Sequence, residues 1–286
     1  MKRYLQILSL FVVMMSGFLL GNAQSLTLGK FPQADTVKIY SAKMARDITT
    51  VVIVPEQYFA PDKLGDKYPV LYLLHGAYGC YNNWPKKVNL DAIASQYSMI
   101  IICPDGQDSW YFDSPIDPSF QFETFISKEL VEYVDRNYRT VADRRMRAIT
   151  GLSMGGHGAL WNAFRHPDVF GSCGSMSGGV DIMPFPGRWH IDERLGNYDD
   201  NKDVWATHTV VSLVPTLEKG RQNIIIDDGD EDFFLEVNLN LHKALLGRGI
   251  GHDFIVRPGN HSWDYWVNAL DYQILFFHKA FSHADI

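Results

Sequence analysis

A serine set among glycines, in Gly151-Leu152-Ser153-Met154-Gly155, is the place where residue type and spacing first imply chemistry. A serine hydroxyl is a useful nucleophile only when it is exposed, paired with a base and placed beside donors for a developing oxyanion. A sharp strand-to-helix turn projects the side chain and aims the first amides of the helix at the reaction centre. Such a turn forces backbones together, and Gly151, Gly155 and Gly156 supply the small residues it needs. The chemistry these residues imply is acyl transfer through a covalent intermediate.

The base is expected to be a histidine after the last strand. Of the 10 histidines, His261 stands just past a strand-like run, in Pro258-Gly259-Asn260-His261-Ser262-Trp263. His242 and His278 lie within helical patterns, and His157 is too near Ser153 along its helix to reach the hydroxyl from the correct side. The acid, which holds the imidazole tautomer and stabilises the imidazolium, is expected between serine and histidine. The segment Asp227-Asp228-Gly229-Asp230-Glu231-Asp232-Phe233 offers five carboxylates there, and spacing does not choose among them. Most of the others are expected to be solvated loop charges or turn formers. The amides of Met154 and of Ala77, in His75-Gly76-Ala77-Tyr78-Gly79, form the expected oxyanion hole, worth a few kcal/mol in the transition state. His75 has no second ligand at metal-binding spacing, so neither metal nor cofactor is implied.

These groups need strands to carry them. Thr36 to Met44 and Asp47 to Val54 are partly alternating and rich in Val, Ile and Thr, as strands are. Val70 to Leu74 and Met99 to Cys103 are continuous apolar runs, the pattern of parallel strands buried on both faces. Ala148 to Thr150, Asn223 to Ile226 and Asp253 to Val256 are three more. Between them, Phe122, Phe125, Ile126, Leu130, Tyr133, Val134 and Tyr138 make one helical stripe, and Trp266, Leu270, Ile274 and Phe277 another. A further helix is expected over Gly158 to Phe164. Alternating strands and helices predict a mostly parallel sheet with helices on both faces, whose chemistry sits at the carboxyl ends of the strands. Residues 178 to 215 are irregular and read as either a binding loop or a surface insertion.

The chain of 286 residues is 46% hydrophobic and 21% charged, a globular composition with a substantial core. A net charge of -7 argues against a nucleic-acid partner. Lys2 and Arg3 precede an apolar stretch from Leu5 to Leu20, and Gly21-Asn22-Ala23 supplies a small-residue cleavage site before Gln24. Residues 1 to 23 thus read as a secretory signal peptide, the alternative being a retained anchor near the lower length limit for a span. Its removal takes two basic residues and leaves about -9, in a secreted or periplasmic protein with no membrane association. Cys80, Cys103 and Cys173 are too few for a disulfide framework, and Cys103 reads as a small core residue. An oxidising compartment permits one bridge, of unspecified pairing.

Together these residues resemble the esterase family of α/β-hydrolases. That family includes feruloyl and acetyl-xylan esterases of carbohydrate esterase family 1, tributyrin-type esterases, S-formylglutathione hydrolases and mycolyltransferases. The resemblance runs from about Thr36 to Phe281 and rests on Tyr68-Pro69 through His75-Gly76, Gly151 through Gly156, Gly229 through Phe234, and His261-Ser262-Trp263-Asp264-Tyr265-Trp266. It implies an α/β-hydrolase fold over residues 24–286 as a single catalytic domain, and Asp232 as the acid, with Asp230 the runner-up. It also implies a secreted serine esterase acting on acetyl or feruloyl esters of plant polysaccharide, or on other short-chain acyl esters. An acyltransferase of the mycolyltransferase type and a non-catalytic carbohydrate-binding protein are the rival readings. Tyr78, Trp84, Trp110, Trp189 and Trp263, in or beside loops, are the candidate substrate-binding aromatics; Tyr81 and Tyr111 share that setting, and part of this set is expected to be packing.

Overall fold

A computed structural model describes residues 33–284, so the expected signal peptide lies outside the described residues. The apolar runs become the centre of one sheet: β1 (Ala34–Ser41), β2 (Arg46–Ile53), β3 (Val70–Leu74), β4 (Ile100–Pro104), β5 (Arg147–Gly151), β6 (Ser172–Met176), β7 (Asn223–Gly229) and β8 (Asp253–Arg257). Their order is β1-β2-β4-β3-β5-β6-β7-β8, antiparallel at the β1–β2 and β2–β4 pairs and parallel elsewhere. This is the mostly parallel sheet that the alternating pattern predicts. β1 ends at Ser41, short of Met44, because residues 42–45 form the tight turn into β2, with Ala45 at φ 53°.

Alternation survives within the apolar runs, between two cores instead of between core and water. Val70, Tyr72 and Leu74 of β3 join one core while Leu71 and Leu73 join the other, and Ile100/Ile102 and Ile101/Cys103 of β4 divide likewise. Both sides are apolar because helices cover both faces. On one face lie α1 (Asn83–Lys87), α2 (Leu90–Tyr97) and the long C-terminal helix. The other carries α3 (Phe122–Thr124), a π-helical turn over Phe125–Glu129, and α4 (Leu130–Asn137). It also carries α5 (Met154–Arg165), α6 (Ile191–Leu195), α7 (Lys202–Thr207) and α8 (Leu235–Gly247). The C-terminal helix, α9 (Trp263–Ser282), buries Trp266, Leu270, Ile274 and Phe277, the stripe read from sequence.

β6 escapes sequence reading because Ser172-Cys173-Gly174-Ser175-Met176 has no β-branched residue. Its smallness is what its place demands. A side chain at Gly174 would lie 2.2 Å from Gln273 Oε1 of α9, and Gln273 Nε2 donates to the Ser175 carbonyl at 2.9 Å. Residues 178 to 215 are no loose insertion: Val180, Ile182, Ile191, Leu195, Trp205, Val210 and Val214 are all buried in the core. The cysteines are free thiols, with Cys103 and Cys173 buried and their thiols pushed up by burial. Among the described residues no helix is long and apolar enough to cross a membrane.

Glu123 fastens α3 to α5. Its carboxylate accepts from Trp161 Nε1 at 2.9 Å, Arg165 Nε at 2.7 Å and His166 Nε2 at 2.9 Å. Burial alone would raise its pKa, but the donated hydrogen bonds and the Arg165 charge outweigh burial and hold it at about 2, below the usual 4.5. A carboxylate depressed on folding stabilises the fold above its unfolded pKa and loses that contribution as pH falls towards the folded one. Glu123→Gln is therefore expected to be less stable than the wild type near neutral pH by about 3 kcal/mol. Urea unfolding at a series of pH values should show the gap closing between about pH 4.5 and about pH 2.

Candidate active site

Ser153 sits at the end of β5, where the chain reverses into α5. Its φ of 56° and ψ of -119° are an unfavourable combination for a residue with a side chain. The surroundings fix it: the Ser153 amide donates to the Met176 carbonyl at 2.9 Å, and its carbonyl accepts from Gly156 and His157. A Cβ at Gly155 would lie 2.5 Å from the His75 carbonyl oxygen and 2.7 Å from that of Leu74, so glycine alone lets α5 begin here. The helix therefore starts at Met154, four residues earlier than its apolar pattern suggests.

Three side chains from separate parts of the chain meet in one hydrogen-bonded line. His261 Nε2 lies 2.9 Å from Ser153 Oγ, and His261 Nδ1 lies 2.8 Å and 3.0 Å from the two oxygens of Asp232. A carboxylate only accepts, so Nδ1 carries the proton and Nε2 presents its lone pair to the serine hydroxyl. Asp232 is held in turn by the Phe234 amide, which donates to Oδ1 at 2.9 Å. The imidazole is enclosed by rings: Phe233 at 4.3 Å, Trp266 at 4.8 Å and Phe234 at 5.4 Å between centroids. Such a line can take a proton from the serine and return it to a leaving group.

Asp230 and Glu231 are exposed loop residues, as expected, whereas Asp227 and Asp228 are not. Asp230 braces the histidine loop, its Oδ1 accepting from the Gly259 amide at 3.0 Å. Asp227 is fully buried and accepts from Tyr265 Oη and Arg257 Nη2. Asp228 is also buried and accepts from the Gly229 amide at 2.9 Å and Asn238 Nδ2 at 2.7 Å. Burial, and then the Asp232 charge beside it, push Asp228 up to about 8. Both of its oxygens are turned to donors within the interior, so it does not compete with Asp232 for the imidazole. These two were misread because a strand-end position looks like a turn in sequence, whereas β7 carries both beneath the loop layer.

The expected oxyanion donors are both unspent. The amides of Ala77 and Met154 make no hydrogen bond with another group among the described residues, and Ala77 lines the cavity that contains Ser153. Tyr78, at φ 60°, turns its amide instead to Asp108 Oδ1 at 2.6 Å. His75 holds this loop from below: Nδ1 donates to the Gly76 carbonyl at 2.7 Å and Nε2 accepts from the Gly106 amide at 2.8 Å. An imidazole accepting at Nε2 and donating at Nδ1 is neutral, so its 3.5 Å approach to Asp105 is not an ion pair. His157 is buried between the carbonyls of Trp110 and His208, and burial lowers it to about 4. Among the described residues no group of three or more His, Cys, Asp or Glu could hold a metal.

The cavity, about 630 Å³, is walled by Tyr78, Trp189, Phe233, Trp263 and Trp266. Two of the expected binding aromatics are not in it. Trp84 is 1% exposed, donates to the Leu74 carbonyl and packs edge-on against Trp263. Trp110, also 1% exposed, donates to the Trp189 carbonyl. Both are a second layer behind the residues that reach the cavity, because their indole N–H groups are spent on backbone carbonyls. Tyr111 is likewise buried, donating to the His75 carbonyl. Phe233 was missed: it is 51% exposed and stacks on Trp189 at 5.8 Å and 15°. Its signal in sequence was only its position next to Asp232.

A family model described as "Putative esterase" matches residues 41–277. The chain belongs to this esterase family. The esterase is 27% identical over 246 residues to an acetyl esterase of Caldicellulosiruptor saccharolyticus, covering 80% of this chain and 92% of that one. It is 29% identical over 201 residues to an S-formylglutathione hydrolase of Paracoccus denitrificans, covering 63% and 70%. A solved ferulic acid esterase superposes with a TM-score of 0.74 at 28% identity, over 87% of this chain and 98% of that one. The fold is of the α/β-hydrolase type, and the protein is a carboxylic ester hydrolase.

The two buried aspartates separate in a single assay. Asp232→Asn should lower kcat on p-nitrophenyl acetate by about 10⁴-fold, because an amide cannot hold the productive tautomer. Asp228 makes no hydrogen bond with His261 or Ser153, so Asp228→Asn should lower kcat far less than Asp232→Asn, by about tenfold at most, its cost falling on stability instead.

Proposed function

We propose that this protein is an exported serine esterase that releases hydroxycinnamoyl or acetyl groups from plant polysaccharide through an acyl-enzyme. The line from Ser153 Oγ through His261 to Asp232, with spacings of 2.9 and 2.8 Å, is the observation that carries the reading. In this mechanism His261 Nε2 takes the Ser153 proton as Oγ attacks the ester carbonyl. The amides of Ala77 and Met154 stabilise the oxyanion. The imidazolium then protonates the departing sugar oxygen, and water activated by the same histidine frees the acyl group. Asp232 stays ionised and steadies the positive ring.

The acyl group is argued from the cavity wall. Trp189 and Phe233 form a flat aromatic surface beside Ser153, with Tyr78 and Trp263 nearby, suited to an aromatic ring or a sugar face. The similar ferulic acid esterase supports the aromatic acyl group, and the similar acetyl esterase supports the smaller one. Export is supported by the basic start, apolar run and small-residue site of residues 1 to 23.

An activity panel of methyl ferulate, acetylated xylan and short-chain glycerides tests this reading. The proposal expects kcat/KM for methyl ferulate to exceed that for the glycerides by about tenfold or more, a difference of about 1.4 kcal/mol. Trp189→Ala should raise KM for methyl ferulate about tenfold while leaving p-nitrophenyl acetate nearly unchanged. Preference for the glycerides, unaffected by that substitution, would contradict the assigned acyl group.

A further inference from the structure

At the end of the sheet away from Ser153, four elements meet around a cavity of about 650 Å³. Arg144 and Arg145 precede β5, Arg221 precedes β7, and Lys279 lies in the last turn of α9. The two ends are separated by the length of β5, about 16 Å at 3.3 Å per residue. Arg145 is neutralised by Asp143, with contacts of 2.7 and 3.0 Å. Among the described residues the other three form no ion pair. Arg144 donates to the carbonyls of Pro167 and Arg221, and its hydrogen bonds include no carboxylate. Arg221 and Lys279, both exposed, make no side-chain hydrogen bond or ion pair among the described residues. Asp143 and Asp168 are the acids whose charge reaches Arg144.

Like charges held together repel, Asp143 is already spent on Arg145, and an anion placed among the cations relieves that repulsion. Burial, and next the Arg221 charge, pull Arg144 below its ordinary value, as expected of a guanidinium facing another. Planar guanidinium forks match carboxylate, sulfate and phosphate oxygens in geometry. The cavity lies within the range of small-molecule sites, roughly 300 to 1,000 Å³, so it has room for the body of a ligand as well as its anionic group. The surrounding protein is acidic, with a net charge of -7, so the basic cluster is a local feature and not a general one. We propose that this cavity binds an organic ligand bearing an oxyanion group, independently of the ester site.

Calorimetric titration at low salt tests it with three probes: inorganic phosphate, a galacturonate trimer and neutral xylotriose. The proposal expects saturable binding of phosphate, of the uronate, or of both, weakened by added sodium chloride, and none of xylotriose. Binding of phosphate alone would assign a phosphate group, and of the uronate alone an acidic sugar. The double variant Arg221→Gln/Lys279→Gln changes two exposed side chains. It should fold, keep its activity on p-nitrophenyl acetate, and bind the anion about tenfold more weakly or worse. Absence of saturable binding by both anions, or equal affinity in the double variant, would overturn the site without touching the esterase reading.

Discussion

Everything at the ester site depends on the backbone of Ser153 being kept at φ 56°. A residue with a side chain in so sparse a region costs of order 1–3 kcal/mol, and it persists only where its surroundings leave no alternative. Here the surroundings are backbone: the Leu74 and His75 carbonyls press against α5 so closely that a Cβ at Gly155 has no room. The Met176 carbonyl accepts from the Ser153 amide, and the Gly156 and His157 amides of the first helical turn donate to the Ser153 carbonyl. The same reversal projects Oγ into the cavity and leaves the Met154 amide without an internal partner. One turn thus supplies a side-chain direction and a hydrogen-bond donor together.

The remaining parts answer to that turn. His261 arrives on the loop after β8, braced by Asp230, and Asp232 arrives on the loop after β7, braced by the Phe234 amide. Phe233, Phe234 and Trp266 close around the imidazole, limiting its rotation and displacing water from the Asp232 contact. Behind them a second aromatic layer, Trp84 and Trp110, supports Trp263 and Trp189 through packing and a hydrogen bond. Rings in the outer layer are free to meet a ligand because the inner layer bears the packing.

Sequence made the serine turn, the histidine and most of the sheet legible, because each is written locally: glycines at fixed spacing, a histidine after a strand, unbroken apolar runs. What it hid is non-local. β6 looks unlike a strand because it has no β-branched residue and its centre is Gly174, where Gln273 of α9 leaves no room for a side chain. Asp227 and Asp228 look like turn residues, yet β7 carries them into the interior, where Tyr265, Arg257 and Asn238 receive them. Trp84 and Trp110 look no different from Trp189 in sequence; the side of the loop each faces is decided by carbonyls distant along the chain. The choice of Asp232 came from family resemblance, and it is the carboxylate hydrogen-bonded to His261.

The most direct test of the central claim is the mass of the intact protein after reaction with a fluorophosphonate, followed by mapping of the adduct. The account predicts one adduct per chain, on the peptide containing Ser153, with no labelling of Ser153→Ala and strongly slowed labelling of His261→Ala. Stoichiometric labelling that persists in Ser153→Ala, or an adduct mapped to another residue, would contradict it.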